Sequence, residues 1–391
     1  MSLISTAITQ LMEQGVPDMV ARNPLAQFGD PQRAYLGAEI MPERTVDRNA
    51  FREEQIRWRT VIAADGTRYS PAQKRGSDLY STFMVELGDS DIMAEMNAQD
   101  YELLLRMLQH SGESIGNLSM AAVTQVTNWL DLRVNRALIE SCERQRWECL
   151  VDAQVTRVGD NGNSEIVRYA SPPGHRLTPA KLWTAADSDP YDDIQAACQV
   201  LINKGYQPGR MITSTRVIGV MSRNPSVKQR GGTAVIVNNM TATGPNGGIQ
   251  MRRNNANAAS INQMLRDDGL PPLETYDLQF RTQFGTKRFL PDDCIVIVAG
   301  TERNQDSTWL SSGGYGPDMW NLFLRDQQNR FSSIIGYHAV GLPTGHQTPG
   351  RIMRMEARDN KPPTVTAQGW QTHLPVPLDV EGVVVLRKLF G

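Results

Sequence analysis

Residues 55–87 constrain the fold more than any other stretch. Within QIRWRTVIA (55–63), Ile56, Trp58, Thr60 and Ile62 share one side of an extended chain, and Arg57 and Arg59 lie on the other. Within YSTFMVEL (80–87), Tyr80, Thr82, Met84 and Glu86 alternate with Ser81, Phe83, Val85 and Leu87. Both segments have the period of two that marks a strand. Between them lies ADGTRYSPAQKRGSD (64–78), polar and rich in turn residues. Together they predict a long hairpin with an oversized tip, since hairpin loops in compact domains run to ~2–5 residues. An isolated two-stranded hairpin is marginal in water, so this one is expected to rest on something outside itself.

A second constraint is the run from Ser119 to about Leu150, which no Gly or Pro interrupts. Val123, Val126, Leu130, Val134, Ala137 and Leu138 form an apolar stripe that Cys142 and Cys149 extend, opposite a face bearing Arg133, Arg136, Glu140 and Arg144. This predicts a single helix about 45 Å long at ~1.5 Å per residue. An earlier helix follows the cap Asn97, with Tyr101, Leu104, Leu105 and Leu108 on one face. Ile4, Ile8, Leu11 and Met12 predict a short amphipathic helix at the start, and Pro17, Pro24, Pro31 and Pro42 then punctuate a stretch expected to be extended. Residues 1–50 are expected to have few means of burying themselves against their own chain, and so to be disordered or laid on a neighbour.

The second half mixes element types without βαβ repetition, which indicates α+β. Asp152–Gly159 and Ser164–Ala170 flank an Asp-Asn-Gly-Asn turn and predict a hairpin. In DSDPYDDIQAACQVLINKG, Ser188 or Asp189 is placed to cap a helix, Asp192 and Asp193 favour its positive end, and Gly205 ends it. Arg210–Ser214 predicts a short strand, Thr215–Asn224 a helix, Leu290–Gly300 a buried strand and Glu381–Phe390 a final strand. Residues 231–260 predict loops, and 301–350 give no clear pattern.

Motifs for chemistry are absent from the sequence. There is no GxxxxGK[ST], no GxSxG and no HExxH. Asp187, Asp189, Asp192 and Asp193 lack the glycine and terminal glutamate of a calcium loop, and helix capping accounts for them. His338 and His346 are the histidines considered as ligands in space, against a reading of all five as surface or packing residues. Cys142, Cys149, Cys198 and Cys294 have no CxxC spacing and are expected to be reduced and buried. Neither a nucleotide nor a metal cofactor is expected. The net charge of −2 offers no basic stripe for reading nucleic acid, and Lys228–Arg230 and Arg252–Arg253 are read as solvated. The N-terminus lacks the pattern of a signal peptide, and no apolar run approaches the ~18 residues of a membrane span.

Taken in order, these parts resemble the tailed-phage major capsid proteins of the Hong Kong 97-type fold, and the lambda-type (major capsid protein E-like) family in particular. The resemblance is carried by LWTAADSDPYDDIQAACQVL (182–201), TSTRVIGVMSRNPSVKQ (213–229) and FLPDDCIVIVAG (289–300), behind the hairpin and the long helix. It implies an α+β fold divided into an N-terminal arm (1–50), an extended loop (51–93), a peripheral domain with a spine helix (94–185), an axial domain (186–340) and C-terminal strands returning to both (341–391). It implies a non-enzymatic subunit that assembles with itself into hexamers and pentamers. These form an icosahedral head around double-stranded DNA, with scaffold, portal and cement or decoration proteins as partners and no membrane. Arg57, Trp58, Arg59, Asp65, Arg68, Lys74, Arg75 and Asp78 on the hairpin are the expected inter-subunit contacts. A cargo-filled nanocompartment shell and a soluble enzyme with a dispersed site are the alternatives.

Overall fold

The structure is a computed structural model describing residues 3–22, 35–56, 80–110, 120–158, 164–231, 234–237, 250–253, 256–282, 285–300, 334–358 and 364–390. Two helices open the chain, α1 (Leu3–Glu13) and α2 (Val16–Arg22). Gly15 turns between them at φ +70°, a left-handed conformation suited to glycine. Ile4, Ile8, Leu11 and Val20 are almost fully buried, against Leu104, Val126, Leu130, Met353 and Met355. The expectation that the first 50 residues lack burial of their own therefore fails for 3–22. The apolar face of α1 was visible in the sequence, but its partners lie 100 to 350 residues away.

The chain continues through α3 (Leu36–Ile40), β1 (Glu43–Thr45), β2 (Ala50–Ile56), β3 (Tyr80–Glu86), β4 (Gly88–Glu95) and α4 (Ala98–His110). The hairpin is present as β2 against β3, with Ala50 opposite Glu86 and Ile56 opposite Tyr80. Its first strand begins five residues earlier than the alternation suggested, and 57–79 lie outside the described residues. The long helix is α5 (Met120–Leu130), a π turn (Asp131–Asn135) and α6 (Arg136–Asp152), without a break. Asn135 donates to Asp131 (2.9 Å) inside the π turn, where both side chains are buried. A π turn shifts the phase of the helix by one residue. Val134 and Leu138 then sit directly over Gly369, where a Cβ would collide with Val134.

β5 (Gln154–Val158) and β6 (Ser164–Arg168) form the expected hairpin. They are followed by β7 (Arg176–Leu177), α7 (Pro190–Asn203), β8 (Gln207–Thr213), α8 (Thr215–Arg223) and α9 (Pro225–Gly231). Asp189 caps α7 through Tyr191 N (3.1 Å), as expected. The stretch expected to be loops contains the pair β9 (Ala234–Val237) and β10 (Gln250–Arg253). Next come α10 (Ala258–Asp267), β11 (Leu273–Thr275), β12 (Gln279–Thr282), β13 (Gly285–Arg288), β14 (Ile295–Gly300), β15 (Gly336–Val340), β16 (Arg351–Arg358), β17 (Thr364–Pro377) and β18 (Val383–Leu386).

Two sheets organise these elements. The first runs β1-β15-β17-β16, with β4 also paired to β17, so the 14-residue β17 is its centre. The long helix covers one face of it. The second runs β11-β8-β14-β18-β7. In β14, Ile295 and Ile297 face the core built with α7, α8 and α10, while Val296 and Val298 face the core shared with α6. A strand buried on both faces reads as a continuous apolar run, which is why IVIVAG stood out.

Candidate assembly surface and the joint beneath it

For a chain of this shape the candidate site is the surface from which the hairpin leaves. Its root is fixed by polar bonds. Leu87 N donates to Asn49 O (2.9 Å), Asn49 Nδ2 donates to Leu342 O (2.8 Å) and Leu342 N returns a bond to Asn49 Oδ1 (2.7 Å). Arg157 of the β5–β6 hairpin reaches Glu86 O (2.9 Å) and pairs with Glu165 (3.3 Å). Val85 and Leu87 are buried below, while Met84 on the other side of β3 is 67% exposed. The stem is thus held at its root by the body, which gives the outside support expected of it. All eight expected contacts, Arg57, Trp58, Arg59, Asp65, Arg68, Lys74, Arg75 and Asp78, lie outside the described residues.

The sheet beside the root shows an outer face that the sequence reading missed. β4 alternates strictly, leaving Asp89, Asp91, Met93 and Glu95 exposed. Asp89 is held by Thr344 (2.9 Å) and Thr372. On β17, Gln368 donates to Met93 Sδ (3.4 Å). On β16, Arg354 lies over the Trp370 ring, 5.6 Å from its centroid. The alternation in GDSDIMAE was the available signal, but four turn-type residues within it disguise a strand.

Beneath this face is a buried charged joint. Glu143 of α6 accepts from Gly37 N (2.9 Å), Trp147 Nε1 (2.7 Å), Tyr276 Oη (2.8 Å) and Arg146 (3.3 Å). Gly37 approaches so closely that a Cβ there would meet the Glu143 carboxylate at 2.6 Å. Arg146 also pairs with Glu43 (3.3 Å), and Glu43 pairs in turn with Arg351, which holds Gln371 (2.9 Å). Burial pushes the Glu43 carboxyl up, but the Arg351 and Arg146 guanidiniums outweigh it and hold it below its ordinary value. Burial, reinforced by the Glu143 charge, raises the Tyr276 hydroxyl well above its usual range. Charges this deep are tolerated because each has an opposite partner and further hydrogen bonds.

Next to Arg351, His338 Nε2 faces His373 Nδ1 at 2.8 Å, and Cys142 Sγ lies 3.6 Å from the same nitrogen. His373 Nε2 reaches Ser90 Oγ (2.9 Å). His346, weighed with His338 as a ligand against the favoured reading as a surface or packing residue, lies against Trp370, 5.8 Å between ring centroids. The four cysteines are free thiols and buried, as expected. Arg230, read as solvated, pairs with Asp189 (2.9 Å) and Asp192 (3.1 Å) at the start of α7.

A family model described as phage major capsid protein E matches residues 30–306. No curated protein sequence matches the chain. Among solved structures, a putative capsid protein of a prophage of E. coli CFT073 is similar with a TM-score of 0.52 and 13% identity, covering 97% of this chain and 98% of that one. A phage-related protein of Bordetella bronchiseptica RB50 has a TM-score of 0.49 and 13% identity, covering 93% of this chain and 94% of that one. The first likeness shows the expected α+β, Hong Kong 97-like fold. Among the described residues, no helix is long and apolar enough to cross a membrane. With a family match over most of its length and a capsid fold throughout, this chain belongs to the phage major capsid protein E family, structural subunits of the virion's capsid shell.

Proposed function

We propose that copies of this chain associate as hexamers and pentamers that tile the icosahedral head of a tailed phage around double-stranded DNA. The observation that carries this reading is the β2–β3 stem, rooted firmly through Asn49 and Arg157 and leading into 57–79. That segment holds five basic residues (Arg57, Arg59, Arg68, Lys74, Arg75) against two acidic ones (Asp65, Asp78). The exposed row on β4 is of opposite sign, with Asp89, Asp91 and Glu95. A neighbour's hairpin, with Trp58 as its apolar anchor, pairs with such a row. Each exposed pair contributes only ~0.2–1 kcal/mol, but a stable interface of ~1,200–2,000 Å² combines many of them with apolar contact, and the shell repeats it.

In this reading the first sheet and long helix form the peripheral part and the second sheet the axial part. A net charge of −2 suits a wall that encloses DNA without sequence-specific contact. Assembly takes place in the host cytoplasm with scaffold and portal proteins, and cement or decoration proteins bind the finished shell.

Deleting residues 61–82 tests the role of the hairpin. The expected outcome is a chain that melts cooperatively, near the temperature of the full-length subunit, yet forms no closed particles by electron microscopy. Shells of normal size and yield from this deletion would refute the proposed role. Particles that package an enzyme and no DNA would move the reading to a nanocompartment shell.

A further inference from the structure

The assembly surface leaves one constellation without a role. Cys142 on α6, His338 on β15 and His373 on β17 are all fully buried, and their ligand atoms lie within 4.8 Å of one another. The geometry points to a binding site for a thiophilic d10 metal ion, Zn2+ or Cu+, held by Cys142 Sγ, His338 Nε2 and His373 Nδ1 between the long helix and the first sheet.

The donor set is one thiol and two imidazoles, the combination that such ions select over hard oxygen ligands. The spacing is close to what coordination requires. His338 Nε2 and His373 Nδ1 are 2.8 Å apart and Cys142 Sγ is 3.6 Å from His373 Nδ1. Ligand atoms on a metal at about 2.0–2.3 Å stand roughly 3.3–3.6 Å apart, so the two rings need to part by only about half an ångström.

The surroundings support the same assignment independently. His373 Nε2 bonds Ser90 Oγ (2.9 Å), which itself lies 3.4 Å from Ser141 Oγ. That outer bond fixes the ring and leaves Nδ1 as the ligating nitrogen, the usual arrangement around protein-bound metals. Cys142 Sγ accepts from Gln371 Nε2 (3.2 Å), and the Arg351 guanidinium also bonds it. A coordinated metal ion deprotonates a ligating thiol outright.

Charge is consistent too. Glu43 and Glu143 balance Arg146 and Arg351. The Cys142 thiolate adds one negative charge, which a monovalent ion cancels and a divalent ion turns into one positive. When bound, the ion ties α6 to β15 and β17 at the centre of the first sheet. Sequence motifs gave no sign of it because the three ligands are separated by 196 and 35 positions.

The test uses the full-length chain expressed with zinc or copper supplementation, dialysed, and analysed for metal by mass spectrometry. About one Zn or Cu per chain is expected. Content should fall at least tenfold in Cys142→Ser and stay unchanged in Cys198→Ser, whose thiol sits in the separate core around α7. X-ray absorption at the metal edge of the unaltered chain gives a readout that does not depend on whether a variant folds. It should show one sulfur and two imidazole nitrogens. Less than about a tenth of an ion per chain after loading with either metal, a ligand shell without sulfur, or full retention by folded Cys142→Ser would overturn the assignment.

Discussion

The core of the second sheet and the joint between α6 and the first sheet both lie inside the molecule and are built from opposite chemistry. In the second sheet, Ile295, Val296, Ile297 and Val298 pair with Leu386, Val385, Val384 and Val383, and none of these is more than 9% exposed. In the joint, Glu143 and Arg146 take the same depth, with Glu43 and Arg351 partly buried beside them. Apolar packing is non-directional and degrades in steps as volume is lost. A buried ionic network holds only while every partner is present, and losing one leaves the others uncompensated. The joint connects 37–43 at the start of the chain, 143–147 on the helix, Tyr276 and Arg351. We interpret it as the feature that fixes how these separate stretches meet, while the second sheet supplies bulk stability.

The contrast is most exposed to failure at Arg146. Arg146→Met leaves Glu43 and Glu143 short of a cation and should cost about 3–5 kcal/mol in denaturant unfolding. A loss below about 1 kcal/mol would mean the joint behaves like ordinary core. A double variant, Arg146→Met with Glu143→Gln, should recover part of the loss, since it removes one uncompensated charge.

Asp379 gives the next largest effect, at the point where the first sheet hands over to the second. Burial raises its carboxyl from 3.8 to about 6, against hydrogen bonds from Tyr206, Gly382 and Glu381 that lower it. A carboxyl raised on folding contributes stability that is complete below its unfolded value and lost as the pH rises through the folded one. Unfolding free energy should therefore fall as the pH rises from about 4.5 through about 6, by an amount on the order of 2 kcal/mol. The opposite contribution of Glu43 lies below its ordinary 4.5. Asp379→Asn keeps an acceptor oxygen and should flatten this slope; an unchanged slope would assign it to other groups.

Smaller still is the effect of trimming the apolar sheet. Ile297→Val should cost only about 0.5–1.5 kcal/mol, with cooperative unfolding retained. A loss as large as that of Arg146→Met would erase the distinction between the two regions.

The same contrast explains what could be read from the sequence. α7 was legible because Asp189, Pro190 and Gly205 mark its ends locally. β14 was legible because both faces are apolar. β17 was not, although it is the centre of the first sheet. Gly369 and the prolines at 375 and 377 are residues that strands disfavour, and the polar Gln371 and His373 are buried there. Their reasons are tertiary: Gly369 makes room for Val134, and Gln371 donates to Leu138 O (2.8 Å). The charged joint was illegible for the same reason, since Glu143 and Arg146 look like the solvent face of a helix until Gly37, Glu43 and Tyr276 are brought to them. Of the assembly surface, the hairpin was legible from alternation, while the acidic row on β4 was hidden by turn-type residues.

The most direct test of the account is electron cryo-microscopy of the full-length chain, expressed alone and with its scaffold. Closed shells are predicted, with subunits in sixfold and fivefold rings and each hairpin lying across a neighbour beside its β4 row. A compact monomer under every assembly condition would contradict the account.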